Sequence, residues 1–296
     1  MSRIQEILNK AEREGTARRT RALSEHVAPA VVPPAVTPMP VPPVTTLDAP
    51  PQAQWTMPTA VEHHTIAPAT PRLDGRLVAA TAPQSLAAEQ YRLLRTRVKR
   101  AENGRTVRSI VITSPSKGDG KSLTASNLAL TMAQEFHQRV LLIDADFRRP
   151  SVARLFGISD SPGLSDVLLG AADIDTALVN LSDQRLTVLP AGTPPGHPAE
   201  LLGSAGMRRV LDTLRTRFDR ILIDMPPVAP VADVHVLAPM ADAVLMIVRA
   251  GMTSKPAIER ALSGLDTAKV LGLVLNDAED SRGDRNTYEG YGYIAG

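Results

Sequence analysis

The sequence lacks cysteine, a large net charge and any long apolar run. Without cysteine, neither a disulfide framework nor a thiolate metal site can form, which favours a reducing compartment such as the cytoplasm. The 33 basic residues are balanced by 31 acidic ones, so charge gives no case for nucleic-acid binding. No apolar run approaches the roughly 20 residues that span a bilayer, and no signal-like stretch opens the chain. We therefore expect a cytoplasmic protein that associates with a membrane peripherally at most.

The chain divides into four regions of different composition. Residues 1–23 place a few apolar side chains at helical spacing among arginines, which predicts a short basic helix. Residues 24–83 hold 13 of the 25 prolines and little charge, so we predict a disordered, partly polyproline-like linker. Residues 84–277 have the alternating apolar pattern of a folded domain. The polar, glycine-bearing residues 278–296 predict a flexible tail.

The predicted domain alternates strand and helix patterns. Ser85 can cap a helix in which Tyr91, Leu94 and Val98 recur at helical spacing. The strand candidates are runs of Val, Ile and Leu that suit burial on both faces. They lie at Val107–Thr113, Val140–Ile143, Leu186–Leu189, Ile221–Ile223, Val244–Val248 and Val270–Leu275. This pattern predicts an α/β fold of the P-loop NTPase class, with a mostly parallel sheet wrapped by helices.

A phosphate-binding loop follows the first strand. Its glycines let backbone N–H groups turn toward phosphate oxygens, and the next helix adds the positive end of its dipole. Lys121 supplies a charge for the β- and γ-phosphates, and the Ser122 hydroxyl can ligate Mg²⁺. One departure is Pro115, which stands where the usual motif begins with glycine. The predicted ATP-binding residues are Lys117, Gly118, Asp119, Gly120, Lys121, Ser122 and Leu123, together with Asn276.

Three carboxylates follow buried strands. Asp144 and Asp146 come at the end of the second strand, and Asp224 follows the strand at Ile221–Ile223. The carboxyl ends of parallel strands are where open α/β sheets bind ligands. We therefore predict a magnesium site formed by Ser122, Asp146 and Asp224.

Taken together, these motifs resemble the bacterial tyrosine kinases (BY-kinases) of capsular and exopolysaccharide systems. The resemblance runs from about Ser85 to Asn276, and its motifs are the Gly-Asp-Gly-Lys-Ser loop, the Asp-Ala-Asp-Phe-Arg-Arg-Pro stretch and the Asp-Met-Pro-Pro strand end. It implies an ATP- and Mg²⁺-dependent protein-tyrosine kinase with Lys121, Asp144 and Asp146 as catalytic residues. Asp144 would orient or deprotonate the incoming hydroxyl.

Two further features match this family. Glu89, Arg92 and Arg95 have the E-x-x-R-x-x-R spacing that carries subunit contacts in the family's rings, although an ordinary solvated helix face has the same pattern. Three of the four tyrosines, Tyr288, Tyr291 and Tyr293, fall in the last nine residues. The resemblance implies that these three are autophosphorylated, largely by a neighbouring subunit.

The resemblance also implies partners. They are a membrane polysaccharide co-polymerase (chain-length determinant protein) that activates the kinase, a cognate tyrosine phosphatase and further copies of this chain. Such an activator would hold the protein at the inner face of the plasma membrane, where phosphorylation would regulate polymer assembly and export.

Two alternatives stay open on the sequence. One is a Min/Par-type positioning ATPase, although those proteins carry a lysine five residues before the loop lysine, where this chain has Ser116. The other is a nucleotide-gated scaffold that binds ATP and oligomerises without chemistry.

Overall fold

One seven-stranded sheet organises the folded part of the protein. The computed structural model describes residues 72–135, 138–229 and 231–278. The strand order is β3-β4-β2-β5-β1-β6-β7, and every neighbouring pair is parallel except β3 and β4. The strands are β1 Ser109–Thr113, β2 Val140–Asp144, β3 Val179–Leu181, β4 Leu186–Leu189, β5 Arg220–Asp224, β6 Ala243–Arg249 and β7 Val270–Asn276. The predicted α/β class is confirmed.

Helices cover both faces of this sheet. They are α1 Val78–Thr81, α2 Leu86–Ala101, α3 Lys121–Ala133, α4 Val152–Phe156, α5 Leu164–Leu168, α6 Ile174–Ala177, α7 Pro198–Leu202, α8 Ala205–Arg217, α9 Asp233–Leu237 and α10 Lys255–Ser263. Short 3₁₀ turns occur at Ser182–Gln184, Ala238–Met240 and Thr267–Lys269. Ser85 caps α2 as predicted, because its side chain accepts a hydrogen bond from the Ala88 amide.

The apolar strands separate two core layers. Val111 of β1 belongs to one layer, with α8 and α9, whereas Ile110 and Ile112 belong to the other, with α1 to α4. Alternate residues of a strand point to opposite faces, so a strand covered on both sides must be apolar throughout. Strands β1, β2 and β5 are buried over their whole length, which explains their unbroken Val, Ile and Leu runs.

The sheet topology places the strand ends that carry the predicted site together. Strand β1 lies between β5 and β6, and β2 lies on the other side of β5. The chain therefore goes from β1 to one side for β2 and to the other side for β6. Ligands bind at such a switch point, beyond the carboxyl ends of the strands. The register pairs Asp224 of β5 with Ile112 of β1 and with Asp144 of β2.

Two parts of the fold differ from the sequence prediction. Strand β3 was not predicted, since it has three residues and joins the sheet at its antiparallel edge. The predicted linker is wrong for residues 72–83, because Leu77 is fully buried in the core and α1 follows it. The buried Asn127 of α3 holds this segment: its Oδ1 accepts from the Ala79 amide at 3.0 Å, and its Nδ2 donates to the Arg76 carbonyl at 3.1 Å.

Several predicted regions lie outside the described residues. They are the basic helix at 1–23, the linker up to residue 71 and the tail from residue 279 onward, including Tyr288, Tyr291 and Tyr293. Across the ranges the structure does describe, we find no helix whose length and apolar content would let it cross a bilayer.

Candidate active site

The loop between β1 and α3 has the turns that a phosphate cradle requires. Gly118 and Gly120 have φ values of +88° and +89°, in the left-handed region that favours glycine. Gly120 is the N-cap of α3, so the first amides of that helix face the loop. Pro115 is buried and lies ahead of both turns. The missing first glycine therefore leaves the two left-handed turns next to Lys121 in place.

Lys121 is the centre of the charge cluster. Its Nζ lies 2.7 Å from Asp146 Oδ2, 3.7 Å from Asp224 Oδ1 and 3.1 Å from Ser122 Oγ. Burial lowers the pKa of Lys121, but the Asp224 and Asp146 carboxylates outweigh it and hold this pKa above its usual range. The ammonium therefore stays charged, as a phosphate-binding group must.

Asp224 is the least compensated acid of the site. Its side chain is fully buried, and neither carboxylate oxygen has a hydrogen-bond partner among the described residues. Burial raises the pKa of Asp224, although Lys121 and Ser122 oppose the shift. A buried carboxylate without partners is costly unless a cation or donor compensates it. This side chain is suited to bind a cation together with a ligand.

Asp144 is also fully buried but is held by backbone amides. It accepts hydrogen bonds from the Ser151, Val152 and Asp146 amides at 2.9, 3.0 and 3.1 Å. Burial and the adjacent Asp224 carboxylate raise the pKa of Asp144 to about 7, against the lowering effect of those amides. A carboxyl group with such a pKa can accept a proton near neutral pH.

The donor set fits a hard divalent cation. Asp146, Asp224 and the Ser122 hydroxyl supply the oxygen ligands that Mg²⁺ prefers. Within the described ranges, no group of three or more Asp, Glu, His or Cys side chains is placed to hold a metal ion by itself. A cation here would therefore rely on the hydroxyl and on oxygens of a bound ligand as well as on the carboxylates, which is how Mg²⁺ is usually held beside phosphates.

The structure places Asn276 against the phosphate loop. At the end of β7, its Nδ2 donates to the Asp119 carbonyl at 3.0 Å. A Cβ on Gly120 would come within 2.1 Å of this nitrogen, so the contact requires glycine there. Asn276 thus contacts the loop backbone, and its predicted role in binding ATP stays a prediction. Lys117 and Gly118 are exposed, whereas Ser122 and Leu123 are half-buried at the start of α3.

Motif analysis missed two residues of the site, Asp233 and Thr253. Arg148 forms a double hydrogen bond with the buried Asp233 of α9, at 2.9 and 3.0 Å, just beyond Asp146. Thr253, after β6, donates its hydroxyl to Asp119 Oδ1 at 2.6 Å. Thr253 follows β6, which ends at the same edge of the sheet as the other site strands. This position was the only sequence feature that could have indicated Thr253. Asp233 follows no strand end or motif.

The loop that precedes α5 and the loop that follows β4 make a tight contact. Gly163, at the start of α5, packs on the Gly192 backbone so closely that a Cβ would lie 2.3 Å from the Gly192 nitrogen. Gly192 has a φ of +85°, and a Cβ there would meet Ser165 Oγ at 2.5 Å. Asp166 Oδ2 joins the two loops, since it accepts from the Gly163 amide at 2.8 Å and the Thr193 amide at 3.2 Å.

The charged stripe of α2 is partly used within the chain. Glu89 and Arg92 pair on the surface at 2.7 Å. Arg95 donates to the Thr131 carbonyl at 2.6 Å and lies 3.1 Å from Glu135, at the end of α3. Glu89 and Arg92 thus remain accessible for subunit contacts, which stay a prediction, while Arg95 also fastens α2 to α3.

Comparison with known proteins gives consistent results. The family described as "AAA domain" matches residues 107–270. The chain is 37% identical to the tyrosine-protein kinase YwqD of Bacillus subtilis over 221 aligned residues. The alignment covers 74% of this chain and 93% of YwqD. Among solved structures, the chimerical protein CapA2B2 is 30% identical with a TM-score of 0.65, covering 70% of this chain and 93% of that one. The BceF tyrosine kinase domain is 37% identical with a TM-score of 0.61, covering 67% and 81%.

Proposed function

The chain belongs to the bacterial tyrosine-protein kinases, and we propose that it uses Mg-ATP to phosphorylate its own C-terminal tyrosines, largely between neighbouring copies. The observation that carries this proposal is the pairing of Lys121 with Asp146 and Asp224 beside a glycine loop at a helix N-terminus. The acceptors would be Tyr288, Tyr291 and Tyr293, on the segment that follows β7.

Binding would rest on the loop and on Lys121. The loop amides and the start of α3 would surround the β- and γ-phosphates, with the Lys121 ammonium between them. Lys121 Nζ now contacts Asp146, so it would exchange part of this carboxylate contact for phosphate oxygens. Ser122, Asp146 and Asp224 would hold Mg²⁺, which neutralises charge on the phosphates when bound.

Phosphoryl transfer would form a bond between the tyrosine oxygen and the γ-phosphorus and break the bond to the β,γ-bridging oxygen of ATP. The phenolic proton must leave during this step, and Asp144 is our candidate to orient the hydroxyl or accept that proton. Its pKa of about 7 supports the proton-accepting role. Most of the rate would come from positioning and charge stabilisation.

The cellular role follows the family resemblance. We propose that a membrane polysaccharide co-polymerase activates the kinase at the inner face of the plasma membrane, and that copies of this chain assemble into a ring. Each phosphate adds about −1.5 to −2 charges to the tail, which disfavours its return to an acidic site. Release of the ring, and reversal by a tyrosine phosphatase, would then link phosphorylation cycles to polymer assembly and export.

The first experiment is intact mass and peptide mapping of the full chain after incubation with Mg-ATP. We expect phosphate on Tyr288, Tyr291 and Tyr293, and none in a variant with all three changed to phenylalanine. Lys121→Met should lower the rate at least about 100-fold, since it removes the charge nearest the transferred group. The exposed Lys99→Met on α2 serves as the matched control and should keep the wild-type rate.

Other results would favour the alternatives. ATP hydrolysis without phosphotyrosine would indicate a positioning ATPase, and ATP-dependent assembly without either activity would indicate a scaffold. Persistence of tail phosphate in the Lys121→Met variant would contradict the proposed role of this lysine.

A further inference from the structure

Asp119 is an acidic residue in a loop that is expected to hold anions. Its side chain is only 3% exposed, and both carboxylate oxygens are used within the protein. Oδ2 accepts from the Ser116 amide at 2.9 Å, and Oδ1 accepts from the Thr253 hydroxyl at 2.6 Å. These bonds commit the carboxylate to the protein rather than to a ligand. A charged acceptor in a buried network forms stronger hydrogen bonds than a neutral one.

The partners of Asp119 come from distant parts of the chain. Thr253 belongs to the turn between β6 and α10, and its Oγ1 also accepts from the Arg249 amide at 3.2 Å. Asn276, at the end of β7, donates to the Asp119 carbonyl at 3.0 Å. The Asn276 carbonyl in turn accepts from the Ala250 amide at 2.9 Å. The phosphate loop is thereby bonded to the ends of two neighbouring strands.

We propose that Asp119 is a positioning residue that, with Thr253 and Asn276, forms a clasp holding the phosphate loop in its nucleotide-binding shape. The inference rests on the proposed function, because the shape matters only if the loop binds ATP. The clasp acts through the loop backbone and not by contact of the Asp119 carboxylate with phosphate or metal. Loosening it from the loop side or from the strand side should therefore have the same effect.

A free loop would sample many backbone conformations, and two of its glycines add to that freedom. Ordering it on binding would then cost part of the binding free energy. The clasp orders the loop before the nucleotide binds. Loss of the clasp should therefore raise the Kd for nucleotide more than it lowers the kcat of the nucleotide-bound enzyme. Once a nucleotide occupies the loop, its own contacts would restore the loop shape.

The test compares four single variants of the full chain by equilibrium binding of Mg-ADP and of a non-hydrolysable ATP analogue. Asp119→Ala and Thr253→Val should each weaken affinity about 10-fold or more, as expected for loss of a charged buried hydrogen bond. Thr253→Ser keeps the hydroxyl donor and should stay within about 3-fold of wild type. Asp119→Asn keeps one of the two acceptor oxygens and loses the charge, so its affinity should fall between those of wild type and Asp119→Ala. The exposed Thr216→Val on α8, whose hydroxyl bonds only within its own helix, is the matched control.

The double variant Asp119→Ala with Thr253→Val gives the sharpest readout. Each change also removes one bond of its own, but both remove the bond between Thr253 and Asp119 that joins the loop to the strand side. The double variant should therefore bind no more than about 3-fold more weakly than either single variant. With ATP as substrate, KM should rise with Kd, while kcat at saturating ATP changes less than about 3-fold. Thermal unfolding without nucleotide shows whether each variant is folded, and Thr253→Val keeps the test available if Asp119→Ala is not.

Three results would overturn the inference. The first is wild-type affinity in Asp119→Ala or Thr253→Val. The second is equal loss in Asp119→Asn and Asp119→Ala with a changed Mg²⁺ requirement, which would make Asp119 a metal ligand. The third is full additivity in the double variant. If the wild-type chain itself binds no nucleotide, the proposed function fails. The wild-type measurement alone shows this, so the two failures are distinguishable.

Discussion

At the scale of single residues, the buried ion pair between Arg220 and Glu102 gives a direct stability prediction. Arg220 Nη1 lies 2.7 Å from Glu102 Oε1, and each side chain is 11% exposed. Glu102→Ala leaves a guanidinium buried without its counter-charge, so we expect a loss of about 3 kcal/mol in unfolding free energy. Urea denaturation of the nucleotide-free protein measures it.

The surface pair of Lys255 and Glu259 is the matched control, since both side chains are about half exposed at a distance of 3.8 Å. Glu259→Ala should cost less than about 0.5 kcal/mol. A combined Glu102→Leu and Arg220→Met variant should regain most of the lost stability, because it removes both charges together. Equal losses in Glu102→Ala and Glu259→Ala would refute the assignment.

The same scale shows how far the sequence predicts the site. Lys121, Ser122 and Asp224 follow from motifs, because the spacing of a loop at a strand–helix junction fixes where each side chain falls. The contact of Lys121 with Asp146 was not predicted and comes from the structure. The bond from Thr253 to Asp119 spans 134 residues and belongs to no motif. Such contacts depend on how β6 and the loop meet in space, which neither periodicity nor spacing encodes.

At the scale of elements, Ser85 and Ser254 offer a test of helix capping. Both occupy the N-cap position with extended backbone, but only Ser85 accepts a hydrogen bond, from the Ala88 amide at 3.1 Å. Ser85→Ala should lower the unfolding free energy by about 1 kcal/mol. Ser254→Ala should change it by a few tenths of a kcal/mol at most. Chemical denaturation of the two variants side by side is the measurement, and equal effects would contradict the assignment.

Elements were predictable where composition decides burial. The six predicted strands all form. Five of them lie inside the sheet, where apolar runs are covered by helices, whereas β7 forms an edge and leaves Leu273 and Leu275 exposed. The same reasoning gave a wrong prediction for residues 72–83. They follow the proline-rich stretch and hold three alanines, a glycine and one proline, yet one buried leucine, Leu77, and the side-chain bonds of Asn127 fix them to α3. A short segment can be anchored by a partner far away in sequence.

At the scale of the whole molecule, transfer between copies can be separated from transfer within a copy. A Lys121→Met chain that keeps its tyrosines is mixed with an active chain whose Tyr288, Tyr291 and Tyr293 are phenylalanine. We expect phosphate on the Lys121→Met chain, at a rate that rises with total protein concentration, because the donor site and the acceptor are on different molecules. Mass spectrometry of the two chains, distinguished by isotope labelling, measures it.

Each chain incubated alone is the control and should stay unphosphorylated on the tail. If the mixture also stays unphosphorylated while the wild-type chain is modified, transfer occurs within one chain. The predicted contacts of Glu89 and Arg92 can be tested in the same mixture, since their substitution should lower the rate only when two copies must meet.

The paired glycines Gly163 and Gly192 limit how this protein can be diversified. Gly163 and Gly192 touch through their backbones, and neither has room for a side chain. Random libraries that vary both loops will therefore lose most of their members to misfolding. Pro194 and His197 follow on the same loop and are exposed, so variation confined to them should leave the junction intact. These are the positions at which a directed-evolution campaign could alter this loop and still recover folded protein.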